Sequence, residues 1–382
     1  IRPCSVTAQC IRLRHDEARV TITLPDLRRY AIARSLFTPT TRPKAIERLG
    51  FVQADPIRSP ARAQDLTLRH RVKAYRVGDL ERHYPRLAVE EDFFVNYGFV
   101  TPALHASMHP RTAPTEWTPE RLAQAQAVWS FVQARGEVHP REVDTHFAHG
   151  HTTNGFGGQS KASTQLLDGM HYRGWLRVAR RENGTRLYAV HTPQEAPADV
   201  PATLDALVDT LVAKYAPLPS PGLRLLVGRL LYHAVPQWKD QLRPALLRAC
   251  ARLPHADVGG TTWYWPGEED PRSRRWRAPD GVRLLAPFDP VVWDRDRFER
   301  LWAWAYRFEA YTPPAKRVRG YYAMPLLWRD QVIGWGNLSV VNGRLRADLG
   351  YVDGRVPKDT AFREALDAEL SAMAACLGVN SV

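Results

Sequence analysis

The sequence predicts an α+β fold of tandem winged helix-turn-helix units followed by a C-terminal β-barrel-like domain. In residues 120–190, segments with helical spacing precede two alternating segments around Asn183-Gly184, a dipeptide typical of tight hairpins. Residues 203–265 repeat this order, whereas residues 282–349 contain short alternating segments separated by polar turns. Three helices followed by a two-stranded wing are typical of winged helices, which bind DNA.

These patterns divide the chain into five predicted segments. They are a leader without clear periodicity at residues 1–23, which we expect to be poorly ordered, an N-terminal winged-helix unit at 24–116 that contains a Gln-x-Asp motif, a second winged helix at 117–195, a third at 202–280, and a β-rich domain with a closing helix at 281–382.

The helix boundaries follow from local chemistry. Pro25 and Asp26 suit the first turn of a helix over residues 24–37, and Gly50 is the expected end of a second helix. Residues 160–173 carry apolar side chains on one face and predict the third helix of the second unit, which would enter a DNA groove. Strands are expected at residues 308–311 and at further segments of the C-terminal domain, and a helix at residues 237–253.

The charge balance indicates a polyanionic partner. Lys and Arg number 53 against 40 Asp and Glu, which gives a net charge of +13 and a pI near 9.8, so DNA or RNA is favoured over a membrane surface. No apolar run is long enough to span a bilayer. Four scattered cysteines argue against a zinc site or a disulfide scaffold and favour the cytoplasm, where the protein would associate with the nucleoid.

The stretch LGFVQADPI places an amide and a carboxylate two positions apart inside an apolar run. Gln53 and Asp55 would point the same way from an extended segment, and Pro56 biases Asp55 away from the α region. A carboxylate held between apolar neighbours is unfavourable unless it is satisfied or used. Gln53 and Asp55 are therefore candidate catalytic residues. The alternative is an ordinary turn in which Asp55 caps a helix or bonds its own backbone.

Basic residues near this motif, at the second unit and in the C-terminal domain are candidates for contacts with DNA phosphates. They are Arg58, Arg62, Arg69, Arg71, Lys161, Lys316, Arg317 and Arg319. The alternatives are a solvated helix face for the run after the motif and an exposed loop for residues 316–319. The histidines of residues 139–151 lack a completing cysteine and are interpreted as surface residues, so no metal is expected.

Four stretches resemble the bacterial YcaQ-type and AlkZ-like DNA glycosylases that unhook interstrand crosslinks. They are LGFVQADPI with the following SPARAQDL, SKASTQLLDGMHYRGWLRVARR, the segment from LLAPFDPVVWDRDR to LLWRDQVIGW, and the closing helix. The resemblance implies tandem winged helices that embrace DNA and a C-terminal β-barrel. Its catalytic motif matches Gln53 and Asp55, with the aspartate of the YcaQ type. The segment EEDFFVNYGFV departs from the aromatic-Trp-Ala-His pattern of many YcaQ-type sequences, which leaves the substrate range open.

The resemblance implies a glycosylase that hydrolyses the N-glycosidic bond of N7-alkylated purines and unhooks crosslinks, without metal or nucleotide cofactor. Its partner would be double-stranded DNA carrying alkylation damage, bound by a monomer. Asp55 would stabilise positive charge at the sugar or activate water, and Gln53 would position that water or the deoxyribose. Because no lysine neighbours Asp55, we expect a monofunctional enzyme. The alternative is a non-enzymatic winged-helix DNA-binding protein such as a transcriptional regulator.

Overall fold

The computed structural model describes residues 21–153, 158–192 and 194–380. The predicted leader therefore lies outside the described residues up to residue 20. Its last residue, Thr23, is the N-cap of the first helix, where its hydroxyl and the Asp26 carboxylate bond each other's backbone N–H. The chain thus begins its described fold at the helix start that the Pro25-Asp26 pair predicted.

Helices and strands are mixed along the whole chain. The α-helices are α1 (Leu24–Ser35), α2 (Arg42–Leu49), α3 (Ala63–Leu68), α4 (Asp79–His83), α5 (Pro102–Met108), α6 (Pro119–Arg135), α7 (Pro140–Phe147), α8 (Ala162–Tyr172), α9 (Val200–Tyr215), α10 (Ser220–His233), α11 (Leu242–Arg252), α12 (Arg295–Trp302) and α13 (Thr360–Leu377). The strands are β1 (Phe51–Gln53), β2 (Glu90–Phe93), β3 (Tyr97–Val100), β4 (His151–Thr153), β5 (Gln159–Lys161), β6 (Leu176–Glu182), β7 (Thr185–Val190), β8 (Leu218–Pro219), β9 (His255–Val258), β10 (Thr261–Tyr264), β11 (Val282–Leu284), β12 (Met324–Trp328), β13 (Gln331–Val341) and β14 (Arg344–Tyr351).

One connectivity occurs three times: helix, short strand, two helices, then two antiparallel strands. In the first copy the sheet order is β1-β3-β2, and in the third it is β8-β10-β9, so the short strand pairs with the last strand each time. The second copy keeps the pattern through a single bridge between Val138 and Tyr188 on β7, beside the β6–β7 hairpin. It also carries the small β4–β5 hairpin between its second and third helices.

The C-terminal part is a four-stranded antiparallel sheet, ordered β11-β12-β13-β14, that curls into a half-barrel. The closing helix α13 packs against β11 and β14. The strand predicted at residues 308–311 was wrong: this segment is irregular, and its Glu309 carboxylate bonds the backbone of a neighbouring loop. The helix predicted at residues 237–253 is confirmed from Leu242 onward as α11, and a short 3₁₀ helix (Pro236–Gln241) precedes it.

The hydrophobic cores cross the boundaries of the predicted segments. One core joins α1 to α9, α10 and α12, a second joins α2 and β1 to α6, α8 and β6, and a third joins α3 to the C-terminal sheet and α13. Each segment therefore completes its burial with side chains from another. Among the helices of the described residues, none combines the length and apolar composition that a membrane crossing requires.

Candidate active site

Gln53 lies at the end of β1, where it pairs with Gly98 of β3. A side chain at position 98 would overlap the Val52 carbonyl oxygen, at 2.3 Å from a Cβ, so glycine allows this close approach. The Gln53 side chain is buried, with 8% of the residue exposed. Its Oε1 accepts a hydrogen bond of 2.7 Å from Trp293 Nε1 and a longer one of 3.4 Å from Asn96 Nδ2. The candidate catalytic motif is thus bonded to the C-terminal domain through one amide oxygen.

Asp55 follows the strand and is only half-buried. Its Oδ1 accepts the Ile57 backbone N–H at 2.9 Å, the local turn that the alternative reading of the motif expected. Its own N–H donates to Gln64 Oε1 at 3.3 Å. Burial raises the pKa of the Asp55 carboxyl above its ordinary value, and the bond from Ile57 offsets part of this effect. Only Oδ1 accepts a hydrogen bond within the described part of the chain, so the turn leaves Oδ2 available for chemistry.

Asp55 lines a pocket of about 280 Å³ between the first and second repeats. Its walls are Ala54, Asp55, Pro56, Arg62, Gln64, Tyr97, Arg181, Gly184 and Arg186. Gly184, at the tip of the β6–β7 hairpin, lies close to the Arg62 guanidinium. A Cβ at position 184 would lie 2.1 Å from Arg62 Nη2. The hairpin of the second repeat therefore forms one wall of the Asp55 pocket.

Ion pairs hold this hairpin against the first repeat. Arg181 forms a bidentate pair with Glu91, at 2.7 and 2.6 Å, and the same carboxylate accepts the Tyr97 hydroxyl at 2.8 Å. Arg186 lies 2.9 Å from Asp168 and 5.1 Å from the centre of the Tyr97 ring. The arginines of the pocket wall are thus each held in place by a carboxylate.

Tyr322 of the C-terminal domain interacts electrostatically with Asp55. Its side chain is 1% exposed, and its hydroxyl has no hydrogen-bond partner within the described residues. Burial raises the pKa of Tyr322 well above its ordinary value, and the negative charge of Asp55 adds to this shift. The Gln-x-Asp motif, the second-repeat hairpin and the C-terminal domain therefore meet around Asp55.

A family model described as DNA glycosylase AlkZ-like matches residues 46–376. The chain belongs to the AlkZ-like DNA glycosylase family. Among solved structures, the Streptomyces sahachiroi DNA glycosylase AlkZ has the same fold, with a TM-score of 0.63 and 16% sequence identity over 95% of this chain and 99% of that chain. The resemblance found in the sequence motifs is thereby confirmed at the level of the family. Both candidate catalytic residues lie within the matched range.

The AlkZ-like chain places its predicted DNA-contacting residues in different environments. Arg58 and Lys316 are exposed. Lys161 is exposed and pairs with Asp144, whereas Arg62 is partly buried and pairs with Glu81. Of these four, Arg58 and Lys316 have no carboxylate partner within the described residues, and they are the cations most available to a phosphate.

Two predicted phosphate contacts are buried structural cations. The Arg71 side chain is 0% exposed and binds Asp289 through both terminal nitrogens, at 2.7 and 3.0 Å. The Arg69 side chain is 4% exposed and pairs with Glu369 of α13. A phosphate would have to displace these carboxylates inside the protein, so neither arginine is retained as a DNA contact. The alternative for this run, a solvated helix face, is wrong for α3, because every residue of that helix is buried.

The Glu309 carboxylate holds the basic loop of the C-terminal domain through backbone hydrogen bonds. It accepts backbone N–H groups from Val318, Arg319 and Gly320, at 2.8 to 3.2 Å. Arg317 donates to the Thr312 carbonyl, and its guanidinium lies over the Tyr321 ring. The Arg319 guanidinium lies 4.7 Å from the Trp304 ring centre. The loop is therefore ordered by its own side chains, with Lys316 and the apolar Val318 left exposed.

A buried cluster of possible metal ligands lies elsewhere in the first repeat. Asp92, His105 and His109 place one ligand atom each within 4.8 Å of the others. Arg111 already donates to both Asp92 oxygens, at 2.8 and 3.0 Å, and His109 Nε2 lies 2.7 Å from the same carboxylate. A cation would have to displace these bonds beside a buried guanidinium, so the cluster suits a hydrogen-bonded core better than a metal centre.

Sequence reasoning missed several residues of the site. Arg181, Arg186 and Tyr97 line the pocket, and Trp293 holds Gln53, yet none lies near the motif in sequence. The Asn183-Gly184 turn identified the hairpin, with positive φ angles of 49° and 85°. Its place against Arg62 depends on how the repeats pack, which no local pattern encodes.

Proposed function

We propose that this DNA glycosylase hydrolyses the N-glycosidic bond of N7-alkylated purines in double-stranded DNA and unhooks interstrand crosslinks formed through such bases. The observation that carries the proposal is the Asp55 carboxylate, which lines a pocket walled by arginines while its only hydrogen bond within the described residues engages a single oxygen. Membership of the AlkZ-like DNA glycosylase family supports the reaction class.

The chemistry needs one carboxylate. Alkylation at N7 makes the base cationic and a good leaving group, so the barrier lies in the oxocarbenium character that develops at the sugar. A carboxylate about 4 Å from that charge, at an effective dielectric near 20, stabilises it by about 4 kcal/mol, or roughly a thousandfold in rate. We assign this role to Asp55. A cationic base leaves without a general acid, so the single carboxylate suffices.

The three repeats would act as winged helices that bind DNA. Their shared connectivity supports this, as do the net charge of +13 and the exposed cations Arg58, Lys161 and Lys316. Arg317 and Arg319, on the same loop as Lys316, would add to the positive electrostatic potential that attracts DNA. Contacts of this type position the duplex without reading its sequence, as suits an enzyme directed to damage.

A site that acts without base flipping suits a crosslinked substrate. Many glycosylases rotate the target base into a deep pocket, but a base tethered to both strands is not free to leave the helix. The Asp55 pocket lies between two repeats, and its walls include three arginines but a single aromatic ring, that of Tyr97. We infer that the enzyme approaches the sugar from the groove and leaves the base stacked.

The test compares the wild-type protein with Asp55→Asn on duplexes that contain 7-methylguanine or a nitrogen-mustard crosslink. We expect base release and unhooking by the wild type, and a loss of about a thousandfold in the single-turnover rate of the variant. DNA affinity should be retained by Asp55→Asn. Equal DNA binding without base release by either protein would favour the regulator interpretation.

We also propose that the enzyme is monofunctional. The lysine packed nearest to β1 is Lys214, which is buried and donates to the Phe51 carbonyl oxygen. Burial lowers the pKa of Lys214 to about 7, yet its amine is held beneath the strand. Borohydride added during turnover should therefore trap no covalent enzyme–DNA adduct. Trapping that disappears in Lys214→Met would show a lyase instead.

A further inference from the structure

The bond between Trp293 and Gln53 fixes which way the Gln53 amide faces. An indole N–H can only donate, so the Gln53 atom at 2.7 Å from Trp293 Nε1 must be the carbonyl oxygen. Asn96 Nδ2 approaches the same oxygen at 3.4 Å. With two donors on Oε1, the amide nitrogen is the part of Gln53 left for a ligand.

The amide nitrogen is accessible as well as unengaged. Within the described residues the Gln53 amide nitrogen donates no hydrogen bond. A fully buried nitrogen without a partner would be an unsatisfied polar atom, and this nitrogen is not one. The small exposed fraction of Gln53 therefore includes its N–H groups. Gln53 presents donors to the site and no free acceptor, so its amide oxygen does not accept a hydrogen bond from the attacking water.

The identity of the acceptor follows from the reaction. Donation to the water oxygen would withdraw electron density from the nucleophile, and donation to the ring oxygen of deoxyribose would oppose the oxocarbenium character that the reaction requires. A backbone phosphate oxygen has neither disadvantage, and as an anion it is the stronger acceptor for an amide N–H.

We propose that Trp293 is a positioning residue that orients Gln53 so that its amide N–H binds a phosphate oxygen of the damaged strand beside the lesion. This rests on the proposed function and assigns the motif's two residues different ligands. Asp55 acts on the sugar, and Gln53 anchors the backbone that carries it. Because Gln53 lies at the end of β1 and Asp55 just after it, this strand end sets the distance between the phosphate that Gln53 binds and the sugar charge that Asp55 stabilises.

The first test is a double-mutant cycle measured as single-turnover base release from a 7-methylguanine duplex. Trp293→Phe keeps an aromatic ring beside Tyr215 but removes the N–H, and we expect a loss of about tenfold. Gln53→Ala should lose about ten- to a hundredfold, and Trp293→Phe should add nothing in that background. Independent, multiplicative losses would overturn the proposal.

The matched control is Trp302→Phe, which removes an indole N–H that donates at 2.9 Å to the Asp330 carbonyl oxygen in the same domain. Circular dichroism and thermal unfolding of all variants establish that they are folded. Trp302→Phe should leave the rate within about twofold of wild type even where its unfolding temperature falls. A tenfold loss in the control would mean that any missing indole bond slows the enzyme, which would overturn a specific role for Trp293.

The second test identifies the acceptor. Single methylphosphonate linkages, placed in turn at the two phosphates on each side of the lesion, remove the charge of one phosphate at a time. One position should slow the wild type about tenfold and have no effect on Gln53→Ala. Gln53→Glu should be slower than Gln53→Ala, because a carboxylate repels the phosphate. Activity of Gln53→Glu near wild type would assign Gln53 to the water and overturn the proposal.

The two proposals fail separately. If Asp55→Asn retains wild-type activity, the proposed function of the site is wrong whatever Gln53 contacts. If Asp55→Asn is inactive but the Trp293 and Gln53 losses multiply, only the anchoring inference is wrong.

Discussion

At the scale of single residues, Asp55 combines two demands that oppose each other. The proposed hydrolysis requires an ionised Asp55 carboxylate, whereas burial favours the neutral form and raises the pKa of Asp55. No arginine or lysine forms an ion pair with it within the described residues, although arginines wall the pocket. In the proposed mechanism, the carboxylate therefore keeps its charge available for the developing sugar cation instead of neutralising it against a neighbour.

A pH dependence follows from the direction of this shift. Only ionised Asp55 stabilises the sugar cation, so the single-turnover rate should fall as the pH drops through its pKa, which lies above the ordinary 3.8. Rates on a 7-methylguanine duplex, corrected for depurination without enzyme, give the profile. A rate that stays constant down to about pH 4 would contradict the raised pKa.

The same shift predicts the stability of a variant. A folded-state pKa above the unfolded value means that the folded protein binds this proton more tightly, so ionisation of Asp55 destabilises the fold as pH rises. Asp55→Asn keeps an acceptor for the Ile57 N–H, and we expect it to unfold at a higher temperature than wild type near pH 7. The difference should vanish below about pH 3.8. Equal unfolding temperatures at both pH values would contradict this account.

Arg71 illustrates a charge used for structure. Because its guanidinium is fully buried against Asp289, Arg71→Ala should destabilise the protein by about 3 to 5 kcal/mol by leaving that carboxylate unpaired. Chemical unfolding measures the loss. Arg58→Ala is the matched exposed variant, expected to stay within about 0.5 kcal/mol of wild type while it weakens DNA binding. The reverse pattern would restore Arg71 as a DNA contact.

At the scale of elements, the β6–β7 hairpin connects fold and site. Its alternating pattern and Asn183-Gly184 turn were readable from the sequence, and so were the helices that precede it. The contacts of the hairpin could not be read from the sequence, because Arg181 and Arg186 meet Glu91 and Tyr97 only after two repeats pack. The strand expected at residues 308–311 failed for a similar reason, since alternation cannot show that Glu309 binds a loop backbone.

Gly184→Ala tests the role of this hairpin. The added methyl group meets the Arg62 guanidinium, and the residue has φ of 85°, a conformation that alanine adopts with strain. We expect a loss of about 1 kcal/mol in stability and a larger relative loss in the rate of base release. Gly136→Ala is the control, because it also has positive φ but nothing within 4 Å of the added Cβ. Equal rate losses in both variants would separate the hairpin from the site.

At the scale of the whole molecule, composition predicted the partner better than it predicted the contacts. The net charge of +13 is a property of the entire chain, and the family match agrees with a DNA-directed enzyme. The motif residues Gln53 and Asp55 were also evident from the sequence. Which cations remain free depends on tertiary pairing, so Arg69 and Arg71 could not be told apart from Arg58 by position in a basic run.

Salt dependence tests the electrostatic part of DNA binding. Lys316→Ala should weaken binding to any duplex and reduce the slope of log K against log salt by about one, because one phosphate contact is lost. Fluorescence anisotropy across salt concentrations gives the slope. Lys44→Ala, another exposed cation at the start of α2, provides a comparison, and a slope unchanged by Lys316→Ala would remove the loop from the interface.

The pairing of Arg69 with Glu369 joins residues that lie 300 positions apart in the chain. During synthesis on a ribosome, Gln53 and Asp55 emerge early, but Glu369, Asp289 and Trp293, which pair with Arg69, Arg71 and Gln53, emerge only with the final third of the chain. A chain truncated before residue 289 therefore contains Gln53 and Asp55 but lacks the C-terminal groups that bond Gln53 and Arg71.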